Sequence, residues 1–222
     1  MERLSVPALF SAGGSIASGI LFEYDYPWLI VPDIGRIVEK LSYSLSPEEY
    51  DEISSGVYAH KTAKISPSAK IDGPAIICEG AEIRHCAYIR GKALIGRGAV
   101  VGNSTEIKNS LLFDNVKAPH FNYVGDSVLG YGSHLGASAV TSNLKADKSE
   151  IVIKYCGGIK TGLKKLGAII GDGCEIGCGC ILNPGTVIGK NSTVYPNVTV
   201  RGVLPPDSIC KNGVDVVYKR PL

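Results

Sequence analysis

The chain has few of the large side chains that fill most protein cores, with one Trp, one Met and four Phe among its 222 residues. Glycine is abundant instead, at 27 residues. Chains that are rich in glycine and in small or β-branched residues favour turn-rich β structure over helical bundles. The composition therefore predicts an all-β fold.

The chain also lacks an excess of charge of either sign. Its formal net charge is +2, and 20% of its residues are charged. Proteins that bind nucleic acids or membrane surfaces usually carry a pronounced basic excess. We therefore expect neither a nucleic-acid partner nor a membrane partner.

A disulfide framework and a long apolar run are missing as well. The seven cysteines are odd in number and unpaired in spacing, which favours reduced thiols and a cytoplasmic location. The uncharged stretch from Leu4 to Phe22 is broken by Pro7 and three glycines. Signal peptides and membrane spans have fewer such interruptions, so we interpret this stretch as part of a soluble segment.

What the chain does contain is an aliphatic residue at every sixth position. The two runs of this repeat are Ile65, Ile71, Ile77, Ile83, Ile89, Ile95, Val101 and Ile107, then Ile170, Ile176, Leu182, Ile188, Val194 and Val200. A period of six fits neither a helix nor a plain alternating strand. It predicts short strands joined by turns, with three strands per triangular coil and the aliphatic residues pointing inward. Successive coils would pair in parallel, about 4.8 Å apart.

The repeat divides the chain into a cap, a solenoid and a tail. The predicted parts are a partly helical N-terminal cap at 1–56, a β-helix at 57–205 with an insertion loop at 144–167, and a C-terminal tail at 206–222. Within the insertion we expect a strand over 151–156.

Two features of the cap allow more specific predictions. Helices are expected over 34–43 and over 46–53, the second because Ser46 can cap a helix that has Pro47 at its first position. The segment 24–32 holds Trp28, and we interpret it as an apolar lid over the open first coil. A ligand-binding aromatic box is the alternative.

The repeat slips near "KAPHFNYVGD", residues 117–126. Irregular segments on a rigid scaffold are where functional residues concentrate, so His120 is a candidate functional residue. The alternative is a polar residue on a bulged turn.

The stretch "GDGCEIGCGC", 171–180, has the composition of a metal cluster. However, Cys174 and Cys180 stand at the small inward position of the repeat, and Cys178 stands at a turn. Tight cysteine ligation needs convergent side chains, so we expect packing here and no metal site.

Residues 117–143 carry the motif His120-x-x-Tyr123-x-Gly125-Asp126. Together with "YIRG" (88–91) and "NSTEIKNS" (103–110), they resemble the acetyltransferase domain of the bifunctional N-acetylglucosamine-1-phosphate uridyltransferase/glucosamine-1-phosphate acetyltransferases. The basic segment 160–173 is similar to the archaeal and clostridial sugar-1-phosphate nucleotidyltransferase branch. The resemblance covers about residues 57–205. It implies a left-handed parallel β-helix, a homotrimer, and sites in clefts between neighbouring chains.

The resemblance also implies an activity: acetyl-CoA-dependent N-acetylation of a glucosamine-1-phosphate-like or nucleotide-linked amino sugar, in UDP-N-acetylglucosamine or related nucleotide-sugar metabolism. His120 would be the general base, a role that suits a side chain titrating near neutral pH. Asn143, or a backbone N–H, would support the developing oxyanion.

The remaining residues that the resemblance assigns would bind the two substrates. Substrate contacts would fall on Arg90, Lys108, Tyr123, His134 and Lys165, and the acetyl-CoA groove would be lined at Ala137 and Cys178. Arginine and lysine suit a phosphate dianion. His134 replaces an asparagine of the family and Ser138 alters its glycine-rich turn, so the acceptor sugar and the activity itself stay open. The lysines of 145–165 would either meet CoA phosphates or form a solvated loop.

Two other functions remain as alternatives. The first is a non-catalytic trimeric module that binds sugar phosphates or a separate nucleotidyltransferase subunit. The second is a zinc lyase like the carbonic anhydrase-like members of this fold, although the four histidines form no His-x4-His pair. We expect no nucleotidyltransferase activity, because about 56 residues before the repeat are too few for such a domain.

Overall fold

A computed structural model of the protein describes residues 2–219. As predicted, short strands are the main secondary structure of these residues, and with the turns between them they wind into a left-handed parallel β-helix. Each coil contributes one strand to each of three faces. In the first coils equivalent residues are 18 positions apart, so that Ile71, Ile89 and Ile107 lie side by side.

Two of the faces are exposed along most of their length, and we name each by a residue that it carries. The His120 face consists of Lys64–Ile65, Glu82–Ile83, Val100–Asn103, Lys117–His120, His134–Leu135, Glu175–Ile176, Thr193–Val194 and Ser208–Cys210. The Tyr123 face consists of Lys70–Asp72, Tyr88–Arg90, 106–108, 123–125, Val140–Thr141, Ile181–Leu182 and Thr199–Val200.

The third face is buried on both sides, and we call it the covered face. It consists of Val57–His60, Ala75–Ile77, Ala93–Ile95, 110–112, 127–129, Ala168–Ile170, Thr186–Ile188 and Val203–Leu204. The strands Glu106–Leu112 and Tyr123–Leu129 each run through a corner and serve two faces.

The residues that point into the solenoid form its core, as the repeat predicts. Ile77, Ile89 and Ile95 are fully buried. A second aliphatic column points outward from the covered face and is equally buried. It consists of Ile76, Leu94, Leu111, Val128, Ile169 and Val187.

The N-terminal segment packs against this outward column. Its 3₁₀ helices are Glu2–Leu4, Pro27–Leu29 and Val31–Asp33, and its α-helices are Val6–Leu9, Ser18–Leu21 and Ile34–Ser42. The rings of Phe10 and Phe113 lie 4.9 Å apart, and the helix Ile34–Ser42, which was predicted, contacts strands of the covered face. Burial of this continuous apolar surface is the physical reason for the docking.

The interpretation of 24–32 as a lid over the first coil is therefore wrong. Trp28 is buried, but its segment lies along the side of the solenoid, where the Val31 carbonyl accepts a hydrogen bond of 3.2 Å from the Asn109 amide. The edge of the first strand, Val57–His60, is covered by an antiparallel strand, Tyr50–Ser54.

The helix predicted over 46–53 is also wrong. Ser46 does accept hydrogen bonds from Glu48 and Glu49, but only one turn forms before the strand Tyr50–Ser54 begins. Pairing with the first solenoid strand satisfies the backbone of these residues and overrides the local helix signal.

The slip in the repeat has a simple structural cause. At the corner between the Tyr123 face and the covered face, the first two coils use two residues each, Gly73-Pro74 and Gly91-Lys92. The next two coils use one residue each, Asn109 and Asp126, in the left-handed conformation with φ of 47° and 50°. Equivalent residues are then 17 apart, as between Ile107 and Val124. We call this column the Asp126 corner.

The insertion leaves the solenoid at the same corner, one coil after Asp126. It contains an antiparallel hairpin of Val152–Ile153 and Ile159–Lys160, which confirms a strand within 151–156. The solenoid itself runs past the predicted end at 205, because Ser208–Cys210 pairs in parallel with Thr193–Val194. Strand Val216–Tyr218 then covers the last edge in antiparallel fashion. No helix among residues 2–219 has both the length and the apolar character needed to cross a membrane.

Candidate active site

The Asp126 corner holds a cluster of hydrogen-bonded polar side chains around one buried carboxylate. Asp126 is 3% exposed and accepts from the Lys108 ammonium at 3.1 Å and from the Asn109 amide at 2.8 Å. The Asn143 amide, from the following coil, donates to its other oxygen. A buried charge must be paired and hydrogen-bonded to be tolerated, and Asp126 has three such partners.

The orientation of the Asn143 amide follows from its partners. An ionised carboxylate can only accept hydrogen bonds, so the Asn143 nitrogen must face Asp126. The same nitrogen donates to the Tyr123 hydroxyl at 3.2 Å. Both of its hydrogens are thus engaged, and the carbonyl oxygen is the atom left for a ligand. The oxyanion role predicted for Asn143 needs a donor, so it stays a prediction and requires the release of one of these bonds.

Tyr123 keeps its proton at neutral pH. Burial raises the pKa of this phenol, and the negative charges of Asp126 and Glu106 raise the pKa further. Because its oxygen accepts from Asn143, the phenolic O–H is available to donate. The cluster therefore offers one neutral donor and one neutral acceptor beside the Lys108 cation.

Arg90 lies beside Lys108 on the Tyr123 face, in the preceding coil. This register follows from the pairing of Tyr88 with Glu106, since Arg90 and Lys108 each come two residues later. Its guanidinium donates to the Glu106 carboxylate at 2.7 Å, and this hydrogen bond is the main reason that the pKa of Arg90 is raised. Glu106 in turn lies directly beside Tyr123 in the ladder. Arg90, Lys108, Tyr123 and Asn143 thus occupy adjacent coils along one face and its corner.

His120 lies at the opposite edge of that face, at a corner that we call the His120 corner. Successive turns are joined there by backbone hydrogen bonds: Phe121 donates to Asn103, Ser138 to His120, Gly179 to Ala137, and Asn197 to Cys178, at 2.8–3.0 Å. The residue in the second position of each turn has a positive φ. His120, Ala137 and Cys178 therefore occupy one column on successive coils, about 4.8 Å apart, and His120 is exposed.

Two predicted site residues lie away from these groups within one chain. His134 projects from the His120 face, where its Nδ1 lies 2.8 Å from the Glu175 carboxylate. Lys165 is exposed. It pairs with Leu144 in an isolated antiparallel β-bridge, where the insertion rejoins the solenoid.

The sequence interpretation missed three polar side chains of the site: Glu106, Asn109 and Asp126. A signal was present for two of them. Glu106 precedes Lys108 by two positions, which places both on the same side of a strand, and Asp126 closes the motif that contains His120. Nothing in the sequence marked Asn109, because its role depends on the shortened corner.

The cysteine-rich stretch does not converge on a point. Cys174 and Cys180 are buried inside the coils and Cys178 is exposed, as the packing interpretation predicts. Among residues 2–219, no three side chains of His, Cys, Asp or Glu form a group that could hold a metal ion.

Parts of the chain match two family models and several known proteins. Residues 71–155 match the family described as GMPPB C-terminal domain, and residues 167–202 match the bacterial transferase hexapeptide family, with six repeats. The Bifunctional protein GlmU of Methanococcus maripaludis is 44% identical over 70 residues, which are 32% of this chain and 17% of that protein.

A longer match is the Bifunctional sugar-1-phosphate nucleotidylyltransferase/acetyltransferase of Sulfurisphaera tokodaii. It is 31% identical over 170 residues, or 68% of this chain and 40% of the relative. The chain thus spans less than half the length of these curated relatives. Among solved structures, a Bacillus cereus protein described as an acetyltransferase has a TM-score of 0.47 at 15% identity, over 72% of this chain and 81% of its own.

The first family match covers solenoid coils and the start of the insertion, and the second lies within the solenoid. The sequence matches to the bifunctional enzymes agree with the resemblance that the His120 motif suggested. The chain contains a hexapeptide repeat that matches the bacterial transferase hexapeptide family over residues 167–202, and it is similar over 170 residues to part of the bifunctional sugar-1-phosphate nucleotidylyltransferase/acetyltransferase of Sulfurisphaera tokodaii.

Proposed function

We propose that the protein is an acyltransferase that uses acetyl-CoA to N-acetylate an amino-sugar phosphate, with glucosamine-1-phosphate as the first candidate acceptor. The observation that carries this proposal is the arrangement on the Tyr123 face. Two cations, Arg90 and Lys108, stand on adjacent coils beside a protonated phenol and an amide carbonyl. An exposed histidine stands at the other edge of the same face.

The cations fit the phosphate of the acceptor. Lys108 is about one-quarter exposed and is held by Asp126, so its ammonium is fixed in place and still has a donor for a ligand. Arg90 is 44% exposed in its side chain and engages Glu106 through only one of its terminal nitrogens. Its planar guanidinium group therefore retains N–H donors for a phosphate oxygen.

The neutral groups fit the sugar. Hydroxyl and amino groups of a sugar both donate and accept, and the Tyr123 O–H and the Asn143 carbonyl oxygen offer one partner of each kind. Both groups are half-buried, and they would favour a matching ligand, because a ligand that covers them without pairing them bears the cost of their desolvation.

His120 fits the role of general base. In the transfer, the acceptor nitrogen forms the amide bond to the acetyl carbon, the thioester C–S bond breaks, and the proton lost by the amine passes to the histidine. Acetyl-CoA supplies the activated thioester. Ala137 and Cys178 follow His120 in the corner column, and their small side chains leave room for an extended cosubstrate along that corner.

In the family that the sequence resembles, such sites lie between neighbouring chains of a homotrimer. We propose the same assembly here, because His120 and Asn143 stand at opposite edges of one face. The His120 face of a second chain, with His134 on it, would close the cleft over the Tyr123 face.

The test is thiol release from acetyl-CoA, with and without glucosamine-1-phosphate. We expect acceptor-dependent release that falls by about two to four orders of magnitude in His120→Ala. The matched control is His85→Ala, since His85 occupies the same turn position two coils earlier and should leave the rate unchanged.

Absence of acceptor-dependent release by the native chain would reject glucosamine-1-phosphate as the acceptor. Equal losses in His120→Ala and His85→Ala would reject His120 as the base. If CoA binds without turnover of any amino-sugar phosphate, the protein is a binding module that retains the scaffold of the family and not its reaction.

A further inference from the structure

A basic cavity lies higher on the Asp126 corner, outside the candidate active site, and two of its residues are among the lysines of 145–165. It has a volume of about 240 Å³ and is lined by Lys145, Val152, Lys154, Pro184, Gly185, Arg201 and Gly202. Pro184 and Arg201 stand on the second and third coils after Asp126, so the cavity begins about 10 Å from that carboxylate.

The insertion hairpin forms one wall of this cavity and is held firmly against the solenoid. Ile151 and Ile153 are fully buried. A Cβ at Gly185, which has a φ of +77°, would lie 2.7 Å from Ile151, and one at Gly202 would lie 2.9 Å from the Lys154 carbonyl. These two glycines let the hairpin approach the coils closely. The wall is thus a packed element of the fold.

The charges on the lining are all positive. Three of the seven residues are cationic and none is acidic. The Lys145 ammonium is occupied by its own loop, since it donates to the Ser149 hydroxyl and to the Glu150 carbonyl. Among residues 2–219, the side chains of Lys154 and Arg201 have no carboxylate within 4 Å and no hydrogen-bond partner.

We propose that this cavity binds the phosphate group of a phosphorylated small molecule. The Arg201 guanidinium would take two phosphate oxygens with its planar fork, and the Lys154 ammonium would add a point charge. Val152 and Pro184 supply an apolar wall for the adjoining uncharged part of the ligand. The cavity is smaller than the roughly 300–1,000 Å³ that encloses a whole drug-sized ligand, so it holds the phosphate end of a molecule that extends outward.

Two sources could supply that phosphate. One is the CoA of the proposed function, and this assignment rests on that function. The other is a separate sugar phosphate, which does not depend on it. In both cases the phosphate would bind to Lys154 and Arg201. The two sources are distinguished by comparing how well different ligands bind.

The experiment is equilibrium binding to the full chain by calorimetry, at about 50 mM salt so that charge interactions are weakly screened. The probes are CoA, 3′-dephospho-CoA and glucosamine-1-phosphate. The variants are Lys154→Ala, Arg201→Ala and the pair together. Lys211→Ala is the control, because Lys211 is an exposed lysine outside the insertion that does not line the cavity.

We expect each single substitution to weaken the binding of at least one probe about tenfold, and the control to leave the Kd unchanged. A loss for CoA alone identifies its 3′-phosphate as the bound group. A loss for CoA and dephospho-CoA together identifies the diphosphate, and a loss for glucosamine-1-phosphate identifies the separate ligand.

The proposal is overturned if the double variant binds every probe as the native chain does, or if the native chain binds none at millimolar concentration. Both substituted side chains are exposed, so the variants should fold, and matched thermal melts verify this. Binding is read without turnover, so an absence of thiol release rejects the proposed function and leaves this test intact.

Discussion

The side-chain amide of Asn143 is oriented by Asp126, a residue from the preceding coil, and the remaining hydrogen of that amide goes to Tyr123. The same carboxylate holds the Lys108 ammonium. One buried group thus sets the direction of an amide and the position of a cation, and both depend on its negative charge.

Replacing Asp126 with Asn should destabilise the protein by about 3 kcal/mol, because it leaves Lys108 without a counter-charge and sets two amide groups against each other. Urea denaturation would measure the change. Glu82→Gln is the control, since Glu82 forms an exposed pair with Arg84 and should cost less than about 1 kcal/mol. Similar losses of stability in both variants would mean that the buried Asp126–Lys108 pair contributes no more to the free energy of unfolding than the exposed Glu82–Arg84 pair.

Replacing Gly125 with Ala should disturb the site more than the fold. A Cβ there would lie 2.5 Å from the Tyr123 hydroxyl and 2.9 Å from the Asn143 amide nitrogen. Both are the ends of side chains that can move, so we expect a stability loss of about 1–2 kcal/mol together with weaker binding of the acceptor sugar. Urea denaturation measures the first effect and the KM for the acceptor the second.

Gly19→Ala is the control for that variant. Gly19 lies in the helix Ser18–Leu21, and nothing lies within 4 Å of the position that an added Cβ would take. The substitution should leave the KM unchanged and be neutral or slightly stabilising. An unchanged KM in Gly125→Ala would show that the acceptor does not contact Tyr123 or Asn143.

Replacing Asp172 with Asn should loosen the N-terminal segment. The two carboxylate oxygens accept from the backbone of Ser11 at 2.7 Å and of Tyr131 at 2.8 Å, and an amide can satisfy only one of them. We expect a loss of about 2 kcal/mol and faster amide hydrogen exchange across residues 5–42. Exposed Asp51 provides the control as Asp51→Asn. Unchanged exchange in this region would indicate that apolar packing alone holds the segment.

Stability should fall as the pH rises above 9. Burial raises the pKa of the Cys78 and Cys174 thiols to about 12, whereas the unfolded chain loses these protons near pH 9. The unfolded state then binds fewer protons, so the free energy of unfolding drops by about 1.4 kcal/mol per pH unit for each thiol. Urea denaturation at pH 8, 9 and 10 would measure the slope.

The slope should be smaller in Cys174→Ala and unchanged in Cys86→Ala, because Cys86 is exposed. A free energy of unfolding that stays constant from pH 8 to pH 10 would contradict the assignment of the slope to buried thiols.

Most of the solenoid could be predicted because its inward residues repeat at a fixed interval that only stacked coils explain. The covered face could also have been found, since Ile76, Leu94 and Leu111 add an outward aliphatic column beside the inward one. Strands that are buried on both sides read as continuous apolar runs. The sequence did not specify which segment covers that face, because docking depends on contacts between distant residues.

The site was predictable where the motif is local, and less so where it depends on corner geometry. His120, Tyr123 and Asp126 stand close together in the sequence. The partnership of Asp126 with Lys108 and Asn143 arises because a coil that is one residue short places Asp126 in the left-handed conformation at the corner. A count of residues between repeats locates the shortening, but it does not show which side chains meet there.

The contact between Ser11 and Asp172 joins residues that are 161 positions apart, and this has a consequence for folding during synthesis. At 5–20 residues per second, Asp172 leaves the ribosome roughly 8 to 30 s after Ser11. The solenoid can grow coil by coil from local contacts during that time, while the apolar N-terminal segment has no complete surface to dock on. Docking is therefore a late, high-contact-order step, and the interval before it is when the nascent chain most needs protection from aggregation.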